Sequence, residues 1–290
     1  MNKYLKNFTS SEVASKFDLT TYKNVSFDGS NVAFGKTSGI DVEEGAPKTS
    51  YGDINKDLVV QLSNAETTAF SLRGKDVSIE GENFVGAWDK KVNGNAMVSI
   101  NVAENGSVSV SDFSTSAESG AYNAIEIGLA SNPSSVDIDN VNFGGVLSNN
   151  AILVFGTKDN AIINIRNVNF GTLSNPIRIS NKTNATGVTV NIINCTCDAW
   201  DSDLEYTGMI LFQDYTSKSQ EEAVENNLFG PDKITINIEN FEIGGNKIET
   251  PEDIASVCGT KDANQLFYVY NGYEGVLAYD SDRYPKINIA

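Results

Sequence analysis

Histidine is missing altogether from this 290-residue chain. That removes the side chain that most often serves as general base near neutral pH and most often binds zinc. Cysteine is scarce: of the three, Cys195 and Cys197 stand one residue apart and Cys258 is alone, so no disulfide framework can be built. Basic residues are outnumbered, 21 Lys plus Arg against 38 Asp plus Glu, and the formal charge of −17 repels phosphate backbones and anionic lipid. Nucleic acid and membrane surfaces are therefore not expected as partners. No run approaches the roughly 18 apolar residues of a membrane helix. The opening MNKYLKNFTSSEV lacks the apolar core of an export signal, so the expectation is a protein made and assembled in the cytoplasm. No P-loop, GxSxG or complete EF-hand loop occurs, and neither cofactor nor metal is expected.

What is abundant is repetition. VDIDNVNFGG (136–145) returns as INIRNVNFGT from Ile163, and the pattern extends to VSIEG at Val77, VSVSD at Val108, VNIIN at Val190 and INIEN at Ile236. The intervals are 31, 28, 27, 27 and 46 residues. Each copy alternates apolar and polar residues, the period of a strand with one buried face. The fifth position is Gly81, Asp112, Asn140, Asn167, Asn194 and Asn240, all types that tolerate a left-handed backbone, which predicts one recurring turn. Beyond the turn, Phe84, Phe113, Phe143, Phe170, Cys197 and Ile243 are expected to point inward and stack. Cys195 and Cys197 take the places of Val168 and Phe170, so they read as core.

A second series runs in step: AFSL from Ala69, MVSIN from Met97, AIEIG from Ala124, AILVFG from Ala151, PIRIS from Pro176, MILFQ from Met209 and LFYVY from Leu266. Neither series leaves room for the helix that each βαβ crossover needs. Parallel strands joined by short turns, about 27 residues per circuit, predict an all-β fold: a right-handed, single-stranded parallel β-helix of about six to seven coils. Asp139 and Arg166 then lie on successive rungs as a lateral charge pair worth about 0.2 to 1 kcal/mol.

The termini and insertions are read as additions to this body. Residues 1–55 form a cap or anchor, with a short helix over Thr9 to Asp18 and a hairpin over Val25 to Phe34 turning at DGSN. Residues 56–243 form the β-helix, interrupted by a helical excursion over Ser217 to Lys233 that stops at Gly230-Pro231. Residues 244–290 hold a helix opened by Thr250 and Pro251 and closed by Gly259, then a final coil and a Tyr-rich cap with a turn at Asn271-Gly272.

One acidic and aromatic cluster invites a chemical reading: CDAWDSDLEYTG, Cys197 to Gly208, followed by Asp214 and Tyr215. A glycoside hydrolase needs two carboxylates about 5 to 9.5 Å apart beside a stacking surface. Asp201, Asp203 and Asp214 are the candidate catalytic acids, and Trp200, Tyr206 and Tyr215 the candidate sugar contacts. The same residues suit a solvated loop, or a loose Ca²⁺ site that lacks its glycine.

The repeats resemble those of the pectate-lyase-like β-helix family over roughly Ala69 to Asn240, and the family's stacked turn asparagines correspond to Asn140, Asn167 and Asn194. The resemblance implies the fold. Activity does not follow: the family sets basic and acidic residues in one groove, whereas Lys158, Arg166, Arg178 and Lys182 are scattered in this sequence, and the histidine-containing polygalacturonase motif is impossible. The first forty residues, with their Lys-Tyr-Leu-Lys start, short acidic helix and Asn-Val-Ser-aromatic turn, resemble the leader of virion proteins of tailed phages of gut Bacteroidetes, the crAss-like group included. That resemblance implies a non-enzymatic virion protein, a capsid decoration, auxiliary head or fibre component, partnered by other virion proteins and forming a homo-oligomer, a trimer by analogy with phage spikes. A polysaccharide depolymerase or tail spike, either hydrolase or lyase, and a carbohydrate-binding adhesin are the alternatives.

Overall fold

The structure, a computed structural model, describes residues 2–6, 24–28, 32–34, 53–63, 68–86, 96–115, 123–144, 150–173, 175–200, 208–258, 267–270 and 283–290. The expected helix over Thr9 to Asp18, the Asn271-Gly272 turn and Gly259 lie outside these residues.

The chain is all-β with long parallel sheets, in a solenoid-like arrangement. The first sheet holds β1 (Asn2–Lys6), β2 (Asn24–Asp28), β4 (Leu58–Ser63), β6 (Val77–Gly86), β8 (Ser107–Thr115), β10 (Ser135–Asp139), β13 (Ile162–Arg166), β16 (Val188–Cys197), β19 (Ile234–Ile243) and β22 (Lys286–Ile289). The second holds β3 (Val32–Phe34), β5 (Thr68–Gly74), β7 (Ala96–Val102), β9 (Asn123–Ile127), β12 (Asn150–Val154), β15 (Asn175–Ile179), β18 (Ile210–Asp214) and β21 (Phe267–Tyr270). From β2 onward the chain visits the two sheets alternately, and each strand named pairs in parallel with its counterpart one repeat away. Short strands β11 (Asn142–Phe143), β14 (Thr172–Leu173) and β17 (Ala199–Trp200) follow the turn in three repeats, and β20 (Asn246–Ile248) pairs antiparallel with β19.

Register explains the duplicated decapeptide. Val136 lies beside Ile163, Ile138 beside Ile165 and Asp139 beside Arg166. The apolar members, all at most 1% exposed, fill one core because a single strand cannot bury its own face. Arg166 Nη2 reaches Asp139 Oδ2 at 3.5 Å, and reaches diagonally to Asp137 Oδ1 at 3.2 Å.

The turn is built as its residue types predict at five of the six places. Asp112, Asn140, Asn167, Asn194 and Asn240 have φ between 52° and 55°, and Asn194 and Asn240 bend β16 and β19 without ending them. Gly81 is the exception, with no left-handed φ. Between Glu80 and Phe84 its repeat carries three residues where the next carries Asp112 alone, so the bend spreads into an irregularity. We expect Asn167→Ala to cost about 1 to 2 kcal/mol in denaturant unfolding, from the left-handed backbone, and Asn167→Gly clearly less. Equal losses would mean that side-chain bonding, not φ, decides the residue.

The hairpin expected over Val25 to Phe34 is not formed. β2 pairs with β1 and β4 in the first sheet while β3 pairs with β5 in the second, so the segment makes the same change of sheet as every later repeat. Turn residues between two short strands are shared by hairpins and solenoid corners, and only long-range pairing separates them.

Both insertions contain helices. In α1 (Gln220–Asn226) Ser219 Oγ accepts from Glu222 N at 3.1 Å and Glu222 Oε2 accepts from Lys218 N at 2.7 Å. The helix ends at left-handed Asn227, ahead of the expected Gly230-Pro231 stop. In α2 (Pro251–Cys258) Asp253 N donates to Thr250 Oγ1, while Asp253 Oδ2 accepts from the Glu249 and Thr250 backbone and from Thr250 Oγ1.

Candidate functional site

The side chains proposed for chemistry divide on inspection. Asp201, Asp203 and Tyr206 lie outside the described residues. Trp200 closes β17, opposite Leu173, and packs against the core, which explains a tryptophan there without a sugar ligand. Asp214 has no exposed surface. Its Oδ1 accepts from Thr216 N at 2.7 Å, Thr216 Oγ1 at 2.8 Å and Ser217 N at 2.9 Å, while Oδ2 accepts from Ser217 Oγ. Burial raises its pKa, but these donors outweigh that and hold it below the usual carboxylate value. An acid so occupied at the root of the α1 insertion is a structural anchor. Its oxygens are taken up by the turn and it is sealed from solvent.

Cys195 and Cys197 are core residues, 0% and 2% exposed. Burial pushes both thiols up to about 11, so neither is a nucleophile near neutral pH.

Two basic residues are joined by aromatic rings distant in sequence. Along the second sheet Ile125 and Ile127, Ile152 and Val154, Ile177 and Ile179 belong to the core, so the alternate positions Glu126, Leu153 and Arg178 share the opposite face as one register column, continued by Leu211. Arg178 Nη1 donates to Tyr215 Oη at 3.2 Å, and the Tyr215 ring lies 5.5 Å from that of Phe155. Lys182 Nζ stands 5.6 Å from the Phe155 ring centroid and donates to the Leu129 carbonyl; burial lowers its pKa. The result is a continuous group of two cations and two aromatic rings from three successive repeats. It can hold an anionic or ring-shaped group electrostatically. Of these four residues only Tyr215 was a candidate contact in the sequence; the stacking of repeats joins them.

Polar columns are the other feature that sequence reasoning underused. On the outer side of the first sheet, Asn164 Nδ2 donates to Asp137 Oδ1 at 2.9 Å, Asn191 to Asn164 at 2.8 Å, Asn237 to Asn191 at 2.8 Å and Asn288 to Asn237 at 2.7 Å. At the turn, Asn140 donates to Asp112 at 2.6 Å, Asn194 to Asn167 at 3.4 Å and Asn240 to Asn194 at 3.0 Å; Asn167 instead reaches Asp139 at 2.7 Å. A third, buried column sets Asn150 Nδ2 on Asn123 Oδ1 at 2.7 Å, and Asn123 Nδ2 on the buried Glu126 at 2.8 Å. The signal was present, as asparagine recurring at the second place of INIRN, VNIIN and INIEN and just ahead of AIEIG, AILVFG and PIRIS.

Comparison with known protein families, curated proteins and solved structures gives no match to this chain. Function must therefore be argued from these columns and from the one basic and aromatic group.

Proposed function

We propose that this chain is a non-enzymatic structural protein of a tailed-phage virion, a capsid decoration, auxiliary head or fibre component, whose body is a right-handed, single-stranded parallel β-helix. The observation that carries the reading is the in-register parallel ladder of the first sheet, overlaid by amide columns that all donate in one direction. Such a lattice satisfies backbone and side chain together and makes a stiff rod that resists local opening. Its carboxylate at Asp214 is held by the turn, and burial keeps the thiols of Cys195 and Cys197 protonated near neutral pH. The leader's resemblance to virion proteins supports the location, and the charge of −17 keeps copies soluble and away from packaged nucleic acid. Its partners in this reading are other virion proteins and further copies of itself, a trimer by analogy with spikes.

A glycan-contacting spike or adhesin is the second reading, favoured by the Arg178, Tyr215, Phe155 and Lys182 group. One experiment separates the two. Gold-labelled antibody against the chain should decorate purified particles in negative stain, while the purified chain should leave host capsule polysaccharide without new reducing ends or unsaturated products. Unlabelled particles overturn the virion reading. Cleavage that disappears in Arg178→Ala and Lys182→Ala establishes the other.

A further inference from the structure

The outer asparagine column can be followed beyond its hydrogen-bonded part. Register carries it from Asn288 through Asn237, Asn191, Asn164, Asp137, Ser109, Ser78 and Val59 to Asn24 and Asn2. Both terminal strands of the first sheet therefore put asparagine at the same register position. Among the described residues β1 pairs only with β2, and β22 only with β19.

The C-terminal rung is unfinished by three measures. Ile287 and Ile289 are only partly buried, although their predecessors Ile236, Val190, Ile163 and Ile238, Ile192, Ile165 are at most 2% exposed. In each step from Asn164 to Asn288 the later amide donates to the earlier, and among the described residues nothing donates to Asn288 Oδ1. Among the described residues the backbone of β22 has a strand on one side only. An edge in this state is a template for another strand.

We propose that the edge of β22 on which no described strand lies receives the start of β1 of a second copy, parallel and in register, so that copies join head to tail with Asn2 over Asn288 and Lys3 over Ile289. Polarity favours this occupant: an amide arriving at the next register position donates back toward Asn288 in the same sense as every step before it. Charge favours it too. The β1 strand carries Lys3 and Lys6 and no acid, whereas the last repeat carries, among its described residues, five acids, Glu239, Glu242, Glu249, Glu252 and Asp253, against the three cations Lys247, Arg283 and Lys286. Lys3 also limits the contact, since its register column is that of Val25, Val60 and Ile79, and a charge in a core column blunts an edge. The junction is accordingly a reversible one, formed where copies are concentrated. A head-to-tail contact is heterologous and does not close, so it makes short filaments rather than a ring. The inference stands on the register of the first sheet and does not require the chain to be in a virion.

The test is a cross-link. Adjacent parallel strands set Asn2 and Asn288 about 4.8 Å apart, within disulfide range. Oxidised Asn2→Cys/Asn288→Cys should give a non-reducing gel ladder of two, three and more copies. The native chain and each single variant should not. No ladder from the double variant with a native circular dichroism spectrum overturns the proposal. So does a covalent dimer from Asn288→Cys alone, which would mean tail-to-tail pairing. Sedimentation velocity provides a second readout without cysteines. The mass of the native chain should rise with concentration, Ile289→Lys should abolish the rise, and Lys3→Ile should shift it to about tenfold lower concentration. A mass indifferent to both substitutions overturns it equally.

Discussion

Phe170→Ala is expected to destabilise the chain by about 3 to 5 kcal/mol, the largest single loss among the substitutions considered. Phe170 has no exposed surface; its ring lies 6.1 Å from that of Phe143, nearly parallel, and 6.3 Å from that of Phe241. It thus follows Phe143 in a column that passes to Cys197 one rung later and to Ile243 on the rung after that. Truncation removes the transfer free energy of a phenyl group and leaves a void that strands held by hydrogen bonds above and below cannot collapse to fill. A repeat structure adds a further consequence. Because each rung is stabilised by its neighbours, weakening a middle one should split unfolding into two transitions, visible by circular dichroism in denaturant. A single transition shifted by less than about 1 kcal/mol would mean that the Phe170 site is not a closed core.

The second large effect belongs to Asp214. Replacing it with alanine strips acceptors from Thr216 and Ser217 at a fully buried site, an expected loss of about 3 kcal/mol. Ser217 Oγ also accepts from Asn226 Nδ2 at 2.8 Å, so the attachment of α1 goes with it. The pH dependence has a definite sign. The folded-state pKa of Asp214 is depressed, so its contribution is fully present above the unfolded value, about 4, and is lost as pH falls through the lower folded value. Acid titration of stability should therefore steepen below about pH 4 in the native chain and flatten in Asp214→Asn. An Asn variant as stable as the parent at pH 7 and equally acid-sensitive would deny the carboxylate its anchoring role.

These two residues also mark how far a sequence reading reaches. The column of Phe170 was legible from Phe143 to Ile243, because a strand of period two, a residue type suited to a left-handed corner and a fixed interval recur together there; the expected members Phe84 and Phe113 pair with each other but fall outside it, since register sets Thr115 beside Phe143. The same logic gave Asp139 facing Arg166, although the diagonal partner Asp137 proved closer. The setting of Asp214 was not legible because a carboxylate in an acidic loop looks the same whether it faces solvent or is sealed by a turn that donates to both its oxygens. Gly81 failed for a related reason: glycine is compatible with a left-handed corner without requiring one, and extra residues in that repeat spread the bend. The Val25 to Phe34 segment has the local chemistry of a hairpin, and only its distant partners β4 and β5 show that it changes sheets.

By itself, then, the order of residues determined an all-β chain of parallel, stacked repeats and the positions of its core, since period and interval are local properties that the backbone's geometry converts directly into rungs. The tertiary structure alone decided which polar groups meet. Arg178, Tyr215, Phe155 and Lys182 become one group, and Asn164, Asn191, Asn237 and Asn288 one directional column, because these hydrogen bonds and ring contacts depend on displacements of a few ångströms between residues that 27 to 60 positions of chain separate.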